Sequence, residues 1–548
     1  MNTVTEAEPA DQNRRGTLDT ALLIVAVAAV VGFAAVSFYF IVFGRVNGDE
    51  GWYLYAARLA WRGELPYRDF AFTQTPLLPY VYGLAQVLEP SIYLGRLTSA
   101  VFAIAAVALC TRVAWRDGGR GAGAAVAVLC LAFPTGIYNL TLVKTYALAA
   151  FFLAAILAAL TSPAARTRTL PLATAASVGL LLTRTSGVPL ALIVVVYSLR
   201  EAPGRATRIR IAAIAGAGAA AALAFVLSDV SAARFDLATF HQLLWYGAPL
   251  GERIDTIVTD RIPEWIGDYP VYIGLAVAAI VAVVMSRPVR QFLREQPGYV
   301  IVAVGIALYA GSQLGAGQFA PIEYAAAIIP PFLVMTLVPL ARWGFGPSGR
   351  EPVAPWVPAV AVLVVVGIGI FTIVTPSASD YRMSRGEPGS VAAANRVAAF
   401  LEDNTEPDDE VLALWGQPEA LAADRDFPSN VTLGLFSYED LSDDEARDYH
   451  YVNQPLLAQI LEEARPAAVV LTDLDRVFLD LAGTLSDEPA DAEVVLEPLR
   501  RNYRLAYTAE TYGTNAPIRL DVYLRRPATG SRAALPARAA PRRTSASR

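Results

Sequence analysis

The sequence predicts an all-α polytopic membrane protein, with about 11 transmembrane helices and a C-terminal extracytoplasmic α/β domain. Its composition is the first reason: 55% of the 548 residues are hydrophobic and 17% are charged, whereas about 25% are charged in typical soluble domains. The distribution of charge is the second reason. Residues 1–376 carry 26 basic and 21 acidic side chains, residues 377–526 carry 13 and 29, and residues 527–548 carry five arginines and no acid.

This distribution divides the chain into four predicted segments. A cytoplasmic tail covers 1–17, a membrane domain covers 18–376, an acidic α/β domain covers 377–526, and a disordered basic tail covers 527–548. The short tail is the only predicted basic patch outside the membrane domain, which disfavours nucleic-acid binding.

Apolar runs of membrane-spanning length recur along the first 376 residues. A helix that crosses a bilayer needs about 20 apolar residues. Leu18–Gly44 supplies the first, which we interpret as a retained helix because no cleavage-type site follows a short apolar stretch. Further spans are predicted over 92–114, 120–138, 141–160, 170–183, 186–199, 211–228, 271–286, 297–313, 322–340 and 355–376.

The arginines between these spans predict the orientation in the membrane. With a cytoplasmic N-terminus, the short arginine-bearing loops all fall on the cytoplasmic side, as the positive-inside rule requires. For all these loops to be cytoplasmic, the chain must cross the membrane twice over 170–199. Thirty helical residues cover only about 45 Å, which is enough for two short helices but not for two full spans. The run Leu182–Pro189 is therefore predicted to be a bend between short helices, with its backbone facing protein or a wet cavity.

On this topology, in the plasma membrane, three segments lie on the outer side. They are the loop over 45–91, the loop over 229–270 and the chain from about 377. Cytoplasmic loops remain short. Polar chemistry is therefore expected on the outer side.

Two adjacent carboxylates, Asp49 and Glu50, stand at the outer end of the first span. They could form a solvated helix end, or they could perform acid–base chemistry at the water–lipid boundary. The aromatic loop that follows favours the second interpretation. Trp52 and Tyr55 recur at helical spacing, which predicts an amphipathic helix in the membrane interface. The aromatic, proline-marked run over 66–80 is predicted to line a cleft.

Other charged residues near the outer side are further candidates. Arg96, Lys144 and Arg184 could surround a phosphate at the outer leaflet, or each could extend its head group to the interface. Glu323 is either a helix N-terminal acid favoured by the macrodipole or a substrate contact. His241, in the second outer loop, fits an interfacial side chain better than a catalyst.

From about residue 390 the pattern changes to alternating helices and strands. This alternation predicts a small α/β domain without a nucleotide-binding glycine loop. The run Trp415–Glu419 after the first strand could touch a sugar, but an ordinary turn is the favoured interpretation. Helices are predicted over Val391–Asp403 and Leu456–Ala464, and strands over Glu410–Trp415, Val431–Leu435, Ala467–Thr472, Tyr503–Ala509 and Ile518–Leu524.

On these residues the chain resembles the glycosyltransferase-C superfamily, the group with protein O-mannosyltransferases and lipid A aminoarabinose transferases. The resemblance covers roughly 18–376 in topology and the first outer loop in motif. It rests on the Asp49–Glu50 pair, the tyrosine-rich helix after it, the broken helices near Arg184 and the proline-containing run Glu323–Pro331.

The resemblance implies an inverting transferase that takes a sugar from a polyprenyl-phosphate donor. The acceptor would be a hydroxyl of a glycan, a lipid or a protein on the outer face of the bilayer. Asp49 would act as the base with Glu50 as its support. The candidate substrate contacts on this sequence are Arg96, Lys144, Arg184, Tyr53, Glu323 and His241.

A bound metal is disfavoured by one departure from the superfamily. Related members often carry an acid between the third and fourth spans, where this sequence has the acid-free run Tyr138–Lys144. A divalent metal is therefore possible but disfavoured, no other cofactor is predicted, and Lys144 could supply positive charge instead of the metal. Cys110 and Cys130 lie in apolar runs and predict neither a disulfide nor a zinc site.

Two other functions compete with glycosyl transfer. A multi-pass transporter or flippase for a lipid-linked or polar substrate is the alternative, although the spans show no repeat of two matching halves. A non-catalytic membrane protein that presents the acidic domain is the third possibility.

Overall fold

The computed structural model describes residues 9–243, 245, 248–268, 270–314, 321–345, 391–512 and 518–527. The first part is helical throughout. Its helices are α1 (Pro9–Phe43), α2 (Gly48–Trp61), α3 (Leu77–Leu88), α4 (Ile92–Gly118), α5 (Arg120–Leu131), α6 (Pro134–Thr141), α7 (Thr145–Leu160), α8 (Arg166–Thr183), α9 (Val188–Glu201), α10 (Arg205–Ser228), α11 (Val230–Arg234), α12 (Phe240–Leu243), α13 (Leu250–Thr256), α14 (Ile262–Asp268), α15 (Pro270–Met285), α16 (Arg287–Glu295), α17 (Pro297–Leu314) and α18 (Pro321–Phe345).

Several of these helices suit a bilayer in length and surface. Four segments in the described ranges are long and apolar enough to cross, and six if the bent pairs α5–α6 and α15–α16 each count once. Ile24 in α1 and Leu227 in α10 are 62% and 61% exposed, and such apolar surfaces need lipid around them. Helices occupy each predicted span up to residue 345. The total of eleven crossings stays a prediction, and the span over 355–376 lies outside the described residues.

The centre of the membrane body is built on α4, α7 and α18, which pack against one another. Small side chains such as Ala103 and Ala150 are fully buried there, which lets the helices approach closely. Both cysteines are free and buried. The predicted break between α8 and α9 is present, with a 3₁₀ turn at Thr185–Gly187.

The second part is a mixed α/β domain, as the sequence predicted. Its sheet has the order β1-β2-β4-β3, with β1 parallel to β2 and the other neighbours antiparallel. Its elements are α19 (Val391–Asn404), β1 (Val411–Ala413), α20 (Gln417–Ala422), α21 (Asp443–Asp448), α22 (Gln454–Glu462), β2 (Ala468–Thr472), α23 (Asp473–Leu479), α24 (Glu493–Asn502), β3 (Tyr503–Tyr512) and β4 (Ile518–Arg525).

One predicted strand of this domain is wrong. The run Val431–Leu435 forms turns that lead into a 3₁₀ helix at Gly434–Ser437. Gly434 has a φ of 61°, a conformation that breaks an extended strand and that glycine adopts without steric cost. The buried apolar side chains of this run cover the core without joining the sheet.

The exposed aromatic surface expected of α2 as an interfacial helix is also wrong. Trp52 and Tyr55 are buried, because the α/β domain covers the helix. The rings of Tyr55 and Phe427 meet edge to face at 4.4 Å, and Arg58 forms a 2.7 Å ion pair with Asp424. The helix therefore lies between the membrane body and the α/β domain.

The helical run from Val230 to Leu243 also packs against the α/β domain. Phe235 stacks on Tyr449 with ring centroids 4.7 Å apart, and it meets Tyr451 edge to face. The α/β domain therefore contacts the second outer loop as well as the first.

Glycine in α2 permits the close approach of the α/β domain, which gives a first prediction. A Cβ at Gly51 would lie 2.6 Å from the Cβ of Gln417 and 2.8 Å from Pro418. Gly51→Ala should therefore destabilise the protein by about 1–3 kcal/mol through overpacking. Gly121→Ala is the matched control, because nothing lies within 4 Å of its Cβ position. Thermal unfolding in detergent compares the variants, and equal melting temperatures would contradict this packing.

Candidate functional site

Asp49 and Glu50, the two acids in the first turn of α2, point in different directions. Asn47 caps the helix: its side chain accepts the N–H of Asp49 at 3.0 Å, and its own N–H donates to Glu50 Oε1 at 3.0 Å. Consecutive residues of a helix point about 100° apart. Glu50 consequently turns into the protein and is fully buried, whereas the Asp49 side chain remains 24% exposed.

Glu50 is engaged inside the protein by a fully buried arginine. Arg96 Nε and Nη2 donate to the two Glu50 carboxylate oxygens at 2.8 and 2.6 Å. The remaining Arg96 nitrogen donates to the carbonyl of Phe40 at 2.7 Å. Glu50 Oε2 also accepts the N–H of Val143 at 3.1 Å. This pair therefore ties the first turn of α2 to the end of α1 and to the segment before α7.

Two sequence-based assignments change as a result. Arg96 was predicted to bind phosphate. It is fully buried, however, and all three of its guanidinium nitrogens donate hydrogen bonds to protein oxygens. Glu50 was predicted to be catalytic, but both of its oxygens are used within the protein. Glu50 and Arg96 therefore bond to each other and to the protein backbone.

Asp49 meets Lys144 at the start of α7. The Lys144 Nζ lies 2.9 Å from Asp49 Oδ2. Lys144 directly follows Val143, whose N–H is held by Glu50. One buried carboxylate therefore fixes the backbone beside both Asp49 and Lys144. The lysine does not extend away to the membrane interface, because its side chain is only 4% exposed.

Arg184 joins this group from the break between α8 and α9. Its Nη1 donates to Thr145 Oγ1 at 2.6 Å. The ring of Tyr146 lies 5.2 Å from the Arg184 guanidinium carbon and 5.8 Å from the Lys144 Nζ. Both distances fall within the range of cation–π attraction, so one aromatic ring holds the two cations near each other.

His241 approaches the same group from the second outer loop. Its Nε2 lies 3.0 Å from the carbonyl oxygen of Thr73. Burial lowers the pKa of His241, and the positive charge of Arg184 acts in the same direction. The imidazole is therefore neutral at pH 7, and the field of Arg184 reaches it.

Three polar groups that sequence reasoning missed lie on these same segments. Gln74 Oε1, Thr75 Oγ1 and Ser186 Oγ are buried without a hydrogen-bond partner in the described protein. Buried polar atoms are normally bonded, so these atoms suit a polar ligand. The aromatic, proline-marked run over 66–80 was the available sequence signal for the first two.

The other predicted contacts are placed differently. Tyr53 is buried and stacks on Trp52, with ring centroids 3.6 Å apart. Glu323 belongs to the first turn of α18, and its side chain lies outside the described part of the structure. Within the described ranges, no three His, Cys, Asp or Glu side chains gather as metal ligands would.

A buried aspartate joins the outer loops to the α/β domain. Asp236 Oδ2 accepts the N–H of Phe72 at 2.8 Å, and Oδ1 accepts the hydroxyl of Tyr451 at 2.7 Å. Phe72 precedes Thr73, whose carbonyl holds His241. Asp236 therefore ties the α/β domain to the loop beside the site. Burial raises the pKa of Asp236 to about 7.

The importance of the buried ion pair can be measured through stability. Arg96→Met removes the partner of a fully buried carboxylate and should destabilise the protein by about 3–5 kcal/mol. The control is Arg120→Met, which removes a half-exposed ion pair with Asp19 and should cost about 0–1 kcal/mol. Chemical unfolding in detergent gives both values. Similar losses in the two variants would show that the Glu50–Arg96 pair has no special structural role.

The pKa of Asp236 predicts a pH-dependent stability. Because the pKa is raised on folding, the contribution of this carboxyl to stability is complete below about pH 4 and declines as the pH rises through about 7. Asp236→Asn has no such penalty. Its melting temperature relative to wild type should therefore rise between pH 5.5 and pH 8, while that of the exposed control Asp444→Asn should not. A pH-independent difference for Asp236→Asn would refute the assigned shift.

The fold is similar to that of solved membrane-protein structures. No protein-family model and no curated protein matches the chain. The crystal structure of ArnT from Cupriavidus metallidurans bound to undecaprenyl phosphate is similar, with 15% identity, a TM-score of 0.56, and coverage of 92% of this chain and 98% of that one. ArnT in the apo state gives 14% identity, a TM-score of 0.55 and the same coverage. The predicted resemblance is thereby confirmed at the level of architecture: the chain has the glycosyltransferase-C fold.

Proposed function

We propose that this protein is a membrane glycosyltransferase that moves a sugar from a polyprenyl-phosphate donor to an acceptor hydroxyl on the outer face of the membrane. The observation that carries this proposal is the contact of Asp49 with Lys144, beside Arg184. One carboxylate and two cations lie close together. Glycosyl transfer from a lipid phosphate needs a base and cationic partners for the leaving phosphate. The undecaprenyl phosphate bound to ArnT, a protein of the same fold, supports the class of donor.

The arginines at the other end of the membrane body support an outer location for this group. Helix α4 runs from the buried Arg96 near the site to Arg116 at the far end. There Arg116 donates to Thr161 Oγ1 at 2.8 Å, and Arg342 donates to the carbonyl of Asp117 at 2.8 Å. Arginine-bearing ends face the cytoplasm by the positive-inside rule. The candidate site and the α/β domain would then be extracytoplasmic.

The proposed reaction uses each charged group once. Asp49 accepts the proton of the acceptor hydroxyl, and the oxygen attacks the anomeric carbon of the donor sugar. The bond from that carbon to the phosphate oxygen breaks, and its electron pair leaves with the polyprenyl phosphate. Attack opposite the leaving group inverts the anomeric carbon. Lys144 and Arg184 stabilise the negative charge that develops on the phosphate.

Lys144 lies between the two reacting groups in this proposal. Its ammonium is 2.9 Å from Asp49 Oδ2, and the donor phosphate would be its second anionic partner.

Substitution of the base tests the proposal directly. Asp49→Asn keeps the shape of the side chain but cannot accept the proton, so transfer should fall by about 10²–10⁴-fold. The assay measures the release of polyprenyl phosphate from synthetic polyprenyl-phosphate hexoses and pentoses, with membrane extract as the source of acceptor. Asp444→Asn, at a fully exposed site, is the matched control and should retain wild-type activity.

Two results would contradict the proposal. Wild-type transfer by Asp49→Asn would remove the base assignment. Uptake of lipid-linked sugar into proteoliposomes by the wild-type protein, without any transfer product, would favour the transporter.

A further inference from the structure

The α/β domain packs the carboxyl ends of its parallel strands on the first turn of α2. Strands β1 and β2 are parallel, and ligands in such sheets bind outside the carboxyl ends of the strands. Trp415 follows β1 at this edge. Asp475 follows β2, and its Oδ1 accepts the backbone N–H of Trp415 at 2.9 Å. This edge packs on the first turn of α2, since Trp415 lies against Gly48.

The Trp415 indole is seated beside the residue that carries the base. A Cβ at Gly48 would come within 2.7–2.9 Å of three indole atoms, so the ring lies directly on the Gly48 backbone. Gly48 immediately precedes Asp49. The indole itself is only partly buried. An apolar ring surface is thus held next to the exposed carboxylate.

The loop that carries Trp415 is fixed in place and contains polar atoms without partners. Gln417 packs on Gly51 one turn further along α2. Gln417 Oε1, Glu419 Oε2 and Trp52 Nε1 are buried along this seam without a hydrogen-bond partner in the described protein. Burial raises the pKa of Glu419 to about 8, so its carboxyl is protonated at neutral pH and can donate a hydrogen bond as well as accept one.

This combination fits a carbohydrate better than the other acceptors. A pyranose presents a face of C–H groups that can lie flat on an aromatic ring, and its hydroxyls both donate and accept hydrogen bonds. A peptide or lipid hydroxyl would not need a rigid indole beside the base. The cations Lys144 and Arg184, on the membrane-body side of Asp49, suit the phosphate of the donor instead.

We infer that Trp415 is the platform for the sugar ring of the acceptor, and that the acceptor of this transferase is therefore a glycan. The inference rests on the proposed glycosyl transfer. It makes the α/β domain a part of the substrate site, with the donor held by the membrane body and the acceptor held by the domain. Trp415–Glu419 is then more than the ordinary turn favoured by the sequence.

The test compares three acceptors with variants of Trp415. The probes are octyl glycosides, a serine-containing peptide and diacylglycerol, each with the synthetic polyprenyl-phosphate sugars as donors. Wild-type protein should transfer to an octyl glycoside. Trp415→Leu should raise the KM for that glycoside about tenfold, the loss expected for one stacking contact, and raise the KM for the donor less than twofold. Trp415→Phe keeps an aromatic face, so its KM for the glycoside should lie between those of the wild type and of Trp415→Leu.

Controls separate this role from a structural one and from failure of the proposed function. Val477→Ala changes an exposed apolar side chain of the same domain and should leave both KM values unchanged. Equal increases in both KM values for Trp415→Leu and Trp415→Phe would assign the indole to packing alone and overturn the inference. Transfer only to the peptide or to diacylglycerol would also overturn it while preserving glycosyl transfer. No release of polyprenyl phosphate with any acceptor would instead refute the proposed function.

Discussion

The buried pair of Glu50 and Arg96 is the interaction on which the rest of the site depends. Removing two charges from water is costly, and a buried pair is tolerated only when its geometry and its remaining hydrogen bonds are satisfied. Here the arginine also donates to the carbonyls of Phe40 and Gly44 at the end of α1, and the glutamate accepts the N–H groups of Asn47 and Val143. Asn47 and Val143 adjoin the segments that carry Asp49 and Lys144. The buried pair thereby sets the geometry of the Asp49–Lys144 pair, which we propose to contact the substrate.

The α/β domain is a structural part of the same site. It covers α2, it contacts the second outer loop through Phe235, and its Tyr451 shares Asp236 with the loop that carries Thr73. These contacts are buried and extensive, unlike the polar, transient interfaces between mobile domains. Any change that separates the domain from the membrane body should therefore disturb Asp49 and His241 together. The acidic surface of the domain is a separate property and favours solubility outside the membrane.

Much of the fold could be predicted from the sequence, because hydrophobicity and charge are strong signals. Apolar length located the helices. Arginine placement predicts the side of the membrane on which Asp49, Lys144 and Arg184 lie, and that orientation stays a prediction. The same signals could not tell Arg96 from Lys144, since both are cations near helix ends. Which of them faces Glu50 depends on helix rotation and on the path of α1. Nor could they separate Asp49 from Glu50, whose positions differ by a single residue.

The failures have a common physical cause, which is long-range packing. The burial of α2 and of Phe235 comes from a domain more than 150 residues away in the chain, and no local period encodes it. Asp236 looked like one acid among several in an outer loop, and its importance comes from two partners on distant segments. The strand predicted at Val431–Leu435 was lost to a glycine with positive φ, although its apolar residues did enter the core.

The most direct measurement of the central claim is a cryo-EM structure of the protein with polyprenyl phosphate bound. The account predicts the phosphate within about 3 Å of the Lys144 ammonium and the Arg184 guanidinium, with Asp49 on the side from which an acceptor would attack. Phosphate bound at the opposite end of the membrane body, near Arg116 and Arg342, would contradict both the assigned site and the orientation of the protein.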